Sequence, residues 1–234
     1  YFGCPKELQF PEIQAEYIYH FVNRTNSGTQ VSLVMEPGTL LGEWEIQLND
    51  RKICMEDFKE KTVYMPSNLS ADVSDILCNG RNSLKIKMKS DVSYGGIRNP
   101  LYLCGKFAVM WDKQEAVLES EREQGCIDDL TGNGLPYYAG TVEFVKKIPE
   151  EQLKKLPKDS KVCIRMKNEK FHDAVQLKLG EEVVGTSIYS PYVFEISTNK
   201  LKEYGELTVC VDNSLSRLFE GEYFDEERHQ YVKI

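Results

Sequence analysis

The chain of 234 residues is long for one average domain and comfortable for two, and 41% hydrophobic with 11% aromatic residues describes an ordered globular protein, not a disordered one. Its formal charge of −8, from 29 basic and 37 acidic residues with the lysines scattered along strand faces, argues against a nucleic-acid partner. No apolar run approaches the length of a membrane span, so no membrane partner is expected either.

In chain order, the opening "YFGCPKELQFPEIQ" lacks a methionine, a basic n-region and an apolar h-region, and we expect a piece of a longer polypeptide. His20 follows within an alternating stretch. "WEIQLN" sets Trp44, Ile46 and Leu48 on one face, and "SLKIKMKS" alternates Leu84, Ile86 and Met88 with Lys85, Lys87 and Lys89. "DKQEAVLESEREQG" (Asp112 to Gly125) has the composition of a helix, yet Ala116-Val117-Leu118 reads equally as a strand, and both readings stand. "PEEQLKKLP" (Pro149 to Pro157) is bracketed by prolines and predicts a turn or two of helix. "KVCIRMK", "AVQLKLG" and "ELTVCV" then return to period two, through Val162, Ile164 and Met166, through Val175, Leu177 and Leu179, and through Leu207, Val209 and Val211. Short strands with one wet face predict antiparallel sheets packed as sandwiches or jelly rolls.

Seven cysteines (Cys4, Cys54, Cys78, Cys104, Cys126, Cys163, Cys210) are odd in number, dispersed and free of C-x-x-C pairs. They read as reduced thiols, which makes a cytoplasmic location the expectation. The sequons Asn23-Arg24-Thr25 and Asn68-Leu69-Ser70 are of a kind that arises by chance and do not change this.

A weak internal repeat organises the chain. "WEIQLNDRKI" followed by "DVSDILCNGRNSLKIKMKSD" parallels "AVQLKLGEEVVG" followed by "FEISTNKLKEYGELTVCVDN": strand, polar turn, outgoing strand, then a turn at Gly80 or Gly205 into a last strand. The expected division is 1–108 and 109–234, with the link near "YLCGKFAVMWDKQ". The fold expectation is all-β: two tandem antiparallel β-sandwich domains with few short helical turns.

At these residues the sequence resembles the galactose-binding-like, jelly-roll accessory modules of bacterial glycoside hydrolases, including family-two sugar-binding domains and modules of rhamnosidase-like enzymes. The matching pieces are "GLPYYAGTVEFVKKI", "VQLKLGEEVVGTSIYSPYVFEIS" and "YGELTVCVDNSL", with "DVSDILCNGRNSLKIKMK" and "NPLYLCGKFAV" in the first half. Where that family commonly carries Asn-Gly in its middle hairpin, this chain has Asn49-Asp50 and Gly180-Glu181, pairs that still suit a tight turn. The resemblance implies a scaffold that supports a catalytic domain on the same polypeptide and carries carbohydrate as its partner.

Four aromatic residues are the carbohydrate-binding candidates: Tyr189, Tyr192, Tyr138 and Trp111, since a ring stacks on the apolar C–H face of a sugar. Tyr137 and Tyr138 are adjacent, point to opposite faces, and are read as sealing a sandwich edge beside Gly140. Tyr189 and Tyr192 flank Pro191 in "IYSPYVF", where a loop position makes one of them a fairer candidate. Trp44 is read as core, and Trp111 as packing at the expected junction.

Catalysis is not expected of this chain. Glycoside hydrolysis needs two carboxyl groups at a defined separation, and no pair is singled out. Asn168-Glu169 has no βα alternation around it, and His20, His172 and His229 lack a cysteine or serine partner. No cofactor motif appears; a structural calcium, which some jelly rolls hold through loop carboxylates and carbonyls, has no EF-hand-like array here to mark it.

Overall fold

A computed structural model describes residues 9–92, 94–113, 115–127, 129–166, 173–213, 222–225 and 230–233. The chain divides into two compact units, Tyr1–Arg122 and Glu123–Ile234. The first contains β1 (Gln9–Arg24), β2 (Val31–Met35), β3 (Leu40–Leu41), β4 (Glu43–Leu48), β5 (Arg51–Ile53), β6 (Lys59–Lys61), β7 (Asn68–Asp72), β8 (Gly80–Val92), β9 (Gly96–Ile97), β10 (Tyr102–Gly105), β11 (Ala108–Asp112) and β12 (Glu115–Glu119). The second contains β13 (Thr141–Lys147), α1 (Glu150–Lys155), β14 (Lys161–Arg165), β15 (Ala174–Leu179), β16 (Glu182–Ser187), β17 (Val193–Ser197), α2 (Thr198–Tyr204), β18 (Glu206–Asp212), β19 (Glu222–Asp225) and β20 (Gln230–Lys233). The protein is all-β, as the period-two pattern requires, with two short α-helices among the described residues. Among the described residues no helix is long and apolar enough to cross a membrane.

In the first unit a six-stranded sheet, β11-β12-β1-β8-β4-β5, faces a four-stranded one, β10-β2-β7-β6. Apart from the parallel β1–β12 pair, neighbours in these two sheets run antiparallel. Register carries the alternation across strands: Ile46, Ile86 and Tyr17 form one rung, and Leu48, Leu84 and Tyr19 the next. Ile46, Leu48, Leu84, Ile86 and Met88 are buried in a single core with Leu33 and Ala71 of the facing sheet, and Trp44 packs half-buried against it. Intervening lysines stay wet and pair with carboxylates on neighbouring strands, Lys85 with Glu16 at 3.7 Å and Lys89 with Glu12 at 2.9 Å.

The second unit repeats the arrangement. Its larger sheet is β13-β18-β15-β16, and the two-stranded β14-β17 lies in the other layer, with Val175, Leu177 and Leu179 sharing a core with Phe194 and Ile196. The order β1-β8-β4-β5 is therefore matched by β13-β18-β15-β16, and β2-β7 by β14-β17. The sequence repeat is a structural one. Both middle hairpins close through two residues, with Asn49 at φ +53° and Gly180 at φ +55°, a backbone region that asparagine and glycine enter more readily than other residues. Before the last strand of each repeat the chain makes a helical turn, a 3₁₀ turn at Ser74–Ile76 and α2 in the second copy, which ends on Gly205 at φ +66°.

Asparagines hold the loops at these turns. Asn82 Oδ1 accepts from Cys78 N and Asn49 Nδ2, both at 2.9 Å, while its Nδ2 donates to Cys78 O at 2.8 Å and Gly80 O at 2.9 Å. All four of its bonding positions are filled, which is what allows an amide inside the sandwich. Asn213 plays the matching part in the second unit, accepting from Gly140 N and donating to Tyr138 O, so the end of β18 clasps the lead into β13.

The structure moves one expected boundary, decides one open reading and adds one helix. The first unit extends to Arg122, beyond the expected boundary at 108/109, because β10 pairs with β2 and β11–β12 join β1; "YLCGKFAVMWDKQ" is thus part of the first sandwich and not the link. The segment Asp112 to Gly125 contains the strand β12, since Ala116 and Leu118 face the core beside Phe21. Helix α2 was not anticipated, although Ser197 and Gly205 flank it as start and stop residues. The helix expected between the prolines is present as α1. The sequon asparagines Asn23 and Asn68 are buried and their Oδ1 atoms accept local bonds, from Thr25 and from the amides of Tyr64 and Met65. The six described cysteines are free thiols.

Removing core volume from one repeat should weaken that repeat. Ile86→Ala and Leu177→Ala, at fully buried sites, should each cost about 2–5 kcal/mol, read by denaturant unfolding with hydrogen exchange assigning the loss to the substituted unit. Asn82→Ala should cost about 1–3 kcal/mol by orphaning the buried groups that it satisfies; wild-type unfolding midpoints in these variants would show that the rungs and the clasp are not where stability resides.

Candidate functional site

The connection from β16 to β17 presents the most exposed aromatic candidate. Val184 is the extra residue of a bulge, since register passes from Leu177–Gly185 to Lys178–Val183. Gly185 leaves room for the ring of Phe194, whose Cδ1 would lie 3.1 Å from a Cβ there. The chain then leaves the sheet at Ser187, whose hydroxyl donates to Tyr189 O at 2.9 Å. Ile188 and Tyr189 stand at the tip with 68% and 71% of their surface exposed. The Ser190-Pro191 peptide is cis, and Tyr192 returns the chain to the core.

Tyr192 is therefore not a ligand residue, a correction to its candidacy: it is 1% exposed, packs with Phe194 and Ile196, and donates its hydroxyl to Asp173 O at 2.9 Å. Burial also pushes its phenol pKa up. The signal was in the sequence, for Tyr192, Phe194 and Ile196 alternate. Tyr138 is exposed beside the Asn213 clasp, its hydroxyl donating to Thr141 O at 3.0 Å and lying against Gly140. Trp111 lies on the edge strand β11 and is exposed. Trp111 belongs to the first unit and the tyrosines to the second, and among the described residues no ring contact or hydrogen bond joins any two of the four. Sequence reasoning missed Ile188 and Tyr19, which are also exposed. His20 is exposed on β1; His172, His229 and Asn168-Glu169 lie outside the described residues.

The most perturbed titrating groups sit elsewhere in the first unit. Tyr64 meets Tyr102 edge-on at 5.4 Å, its hydroxyl reaches Glu36 Oε1 at 3.5 Å, and Asn99 Nδ2 donates to Glu36 Oε2 at 3.2 Å. Burial, with the Glu36 carboxylate second, pushes the Tyr64 phenol up to about 12, and burial pushes the Cys104 thiol up to about 11. Cys210, buried near Glu143, is also raised by burial. A nucleophilic cysteine needs the opposite shift. The shifted carboxylates all move down, Glu12, Glu45, Glu143 and Glu195 through hydrogen bonds from lysines and Asp72 through Ser74. Among the described residues no three His, Cys, Asp or Glu side chains gather as a metal site.

No protein-family model and no curated protein matches the chain. Solved structures that it resembles are glycoside hydrolases. A β-glucuronidase from an uncultured Clostridium sp. is 12% identical with a TM-score of 0.27, over 79% of this chain and 30% of that one. An FMN-binding β-glucuronidase from Facaelibacterium prausnitzii L2-6 is 14% identical with a TM-score of 0.28, over 87% of this chain and 28% of that one. The chain thus spans less than a third of these proteins. Likeness at this level carries no argument about fold or activity, which rest on the strands and side chains themselves.

Tyr189→Ala should leave thermal stability within about 0.5 kcal/mol of wild type, as for other surface sites, whereas Tyr192→Ala should cost about 3–5 kcal/mol; equal effects would mean that the two residues are misassigned. Raised folded-state pKa values hold the proton on Tyr64 and Cys104, so their contribution to stability is complete below the ordinary values of 10.0 and 9.0, respectively. It is lost as pH climbs toward about 11 for Cys104 and about 12 for Tyr64. Stability of the first unit should fall across that window, less steeply in Tyr64→Phe, with the phenolate absorbance of Tyr64 rising as pH nears about 12.

Proposed function

We propose that the chain is the non-catalytic accessory region of a bacterial glycoside hydrolase, a pair of galactose-binding-like jelly-roll modules that buttress a catalytic domain and hold carbohydrate. The observation that carries the reading is the recurrence of one strand arrangement in both units, at the residues through which the sequence resembles these modules. On this reading the chemistry belongs to another part of the polypeptide, and the cytoplasmic location inferred from free thiols applies to the whole.

A second reading, a scaffold that docks protein without sugar affinity, is favoured by one feature. At the β16–β17 tip the aliphatic Ile188 stands beside Tyr189, and it offers no hydrogen bond to a hydroxyl-covered ligand. Calorimetric titration of the chain with a broad saccharide panel separates the two: binding heat is expected, and none with any saccharide would leave the docking scaffold. Aryl-glycoside turnover that disappears on carboxylate substitution would overturn the non-catalytic assignment itself. The encoding reading frame should also specify a glycosidase domain.

A further inference from the structure

The chain contains two Asn-Gly pairs, Asn79-Gly80 in the first unit and Asn133-Gly134 in the second. Such a pair can modify itself. The backbone nitrogen of the glycine attacks Cγ of the asparagine, an N–Cγ bond closes a cyclic imide, the Cγ–Nδ2 bond breaks, and ammonia leaves with the proton of the attacking nitrogen. Water then opens the imide at either carbonyl, giving aspartate or isoaspartate; in isoaspartate the main chain runs through the side-chain carbon and is longer by one methylene. Glycine favours the attack because it has no Cβ to crowd the nitrogen. The reaction also needs a side-chain amide free to swing onto the next residue and a backbone nitrogen able to leave its hydrogen bond. The two pairs differ in both respects. Asn133 is fastened to Cys126, its Oδ1 accepting from the backbone nitrogen at 2.8 Å and its Nδ2 donating to the carbonyl at 2.6 Å. Gly134 is buried, and its nitrogen donates to Thr131 O at 2.9 Å. Asn79 is exposed, and its side chain makes no hydrogen bond among the described residues. Gly80 is the last rung of the β1–β8 pairing, opposite Asn23, where a ladder frays first. The place that a Cβ of Gly80 would take has nothing within 4 Å of it.

We propose that Asn79-Gly80 is a site of spontaneous imide formation and hydrolysis that loosens the first unit with time, while the fold protects Asn133-Gly134 from the same reaction. The consequence follows from where the extra methylene enters. It falls between Cys78 and Gly80, whose carbonyls both accept from Asn82 Nδ2, at 2.8 and 2.9 Å. Cys78 N also donates to Asn82 Oδ1 at 2.9 Å. Asn82 is 1% exposed, so lengthening the main chain between two groups that its one amide holds leaves buried polar atoms without partners. The inference goes beyond the accessory-module reading and holds whether or not the chain binds sugar.

The test ages the full chain for days at neutral and mildly alkaline pH. Peptide mapping by mass follows the exchange of ammonia for water at each pair, and methyl incorporation by an isoaspartyl methyltransferase reports the lengthened product. Modification at Asn79 should outpace that at Asn133 by roughly tenfold or more, since the hydrogen bonds that hold Asn133 must break before it reacts. It should quicken as pH rises, because the attacking nitrogen must give up its proton. In denaturant the two rates should converge, the difference between them being one of tertiary structure. The first unit of the aged chain should unfold at lower denaturant than in fresh protein, with the second unit unchanged. Asn79→Gln should keep its stability on ageing, and Asn79→Asp, which adds the charge without the methylene, should unfold as wild type. Asn133 reacting as fast as Asn79 in the folded chain, or no product at Asn79, overturns the site. Isoaspartate at position 79 in a first unit that unfolds as fresh protein does overturns the loosening and its link to Asn82.

Discussion

Everything in this molecule depends on one packing constraint, repeated twice: aliphatic side chains at every second position meeting across strands in register. Ile46, Ile86 and Tyr17 make the central rung in the first unit, and Leu177, Val209 and Phe144 make the corresponding rung in the second. Burying a side chain of this size contributes about 1.5–3 kcal/mol, and a one-residue slip in either sheet would turn every such residue into water and every lysine into the core. The loops are free to vary only because this register is so strongly held.

Where the strands end, the same economy demands that backbone groups be satisfied. Asparagine does this in both units, Asn49 and Asn82 in the first and Asn213 in the second, each bonding across a turn. Asn68 does it for the loop over β7. An amide offers two donors and two acceptor positions in a small volume, so it can close a turn from inside without leaving a buried charge. The two copies use different asparagines at different places, as expected of repeats that share strands and differ in connections.

Within this two-layer frame burial raises the pKa of the Cys104 and Cys210 thiols and the Tyr64 and Tyr192 phenols, while hydrogen bonds lower that of Glu12, Glu45, Asp72, Glu143 and Glu195. The frame also presents side chains at its surface. The β16–β17 tip displays Ile188 and Tyr189 because Tyr192 anchors the returning chain, and the wide sheet of the first unit displays Tyr19 and Trp111 beside the buried Phe21 and Leu118. In both cases exposed apolar surface is maintained by buried surface immediately beside it.

Period-two alternation was enough to identify β4, β8, β14, β15 and β18, their inward faces and the repeat that relates them, because side-chain direction in a strand follows from position alone. It was also enough, had it been followed through "SPYVFEI", to place Tyr192 inside with Phe194 and Ile196. What alternation could not supply was partnership. That β12 lies parallel to β1, moving the boundary to Arg122, is a fact about residues some hundred positions apart. Tyr19 alternates with Tyr17 and Phe21 and by sequence belongs to the core. Its exposure, between the core-packed Tyr17 and Phe21 of the same strand, was decided by the tertiary structure, since a side chain pointing inward is buried only where a second layer arrives to cover it.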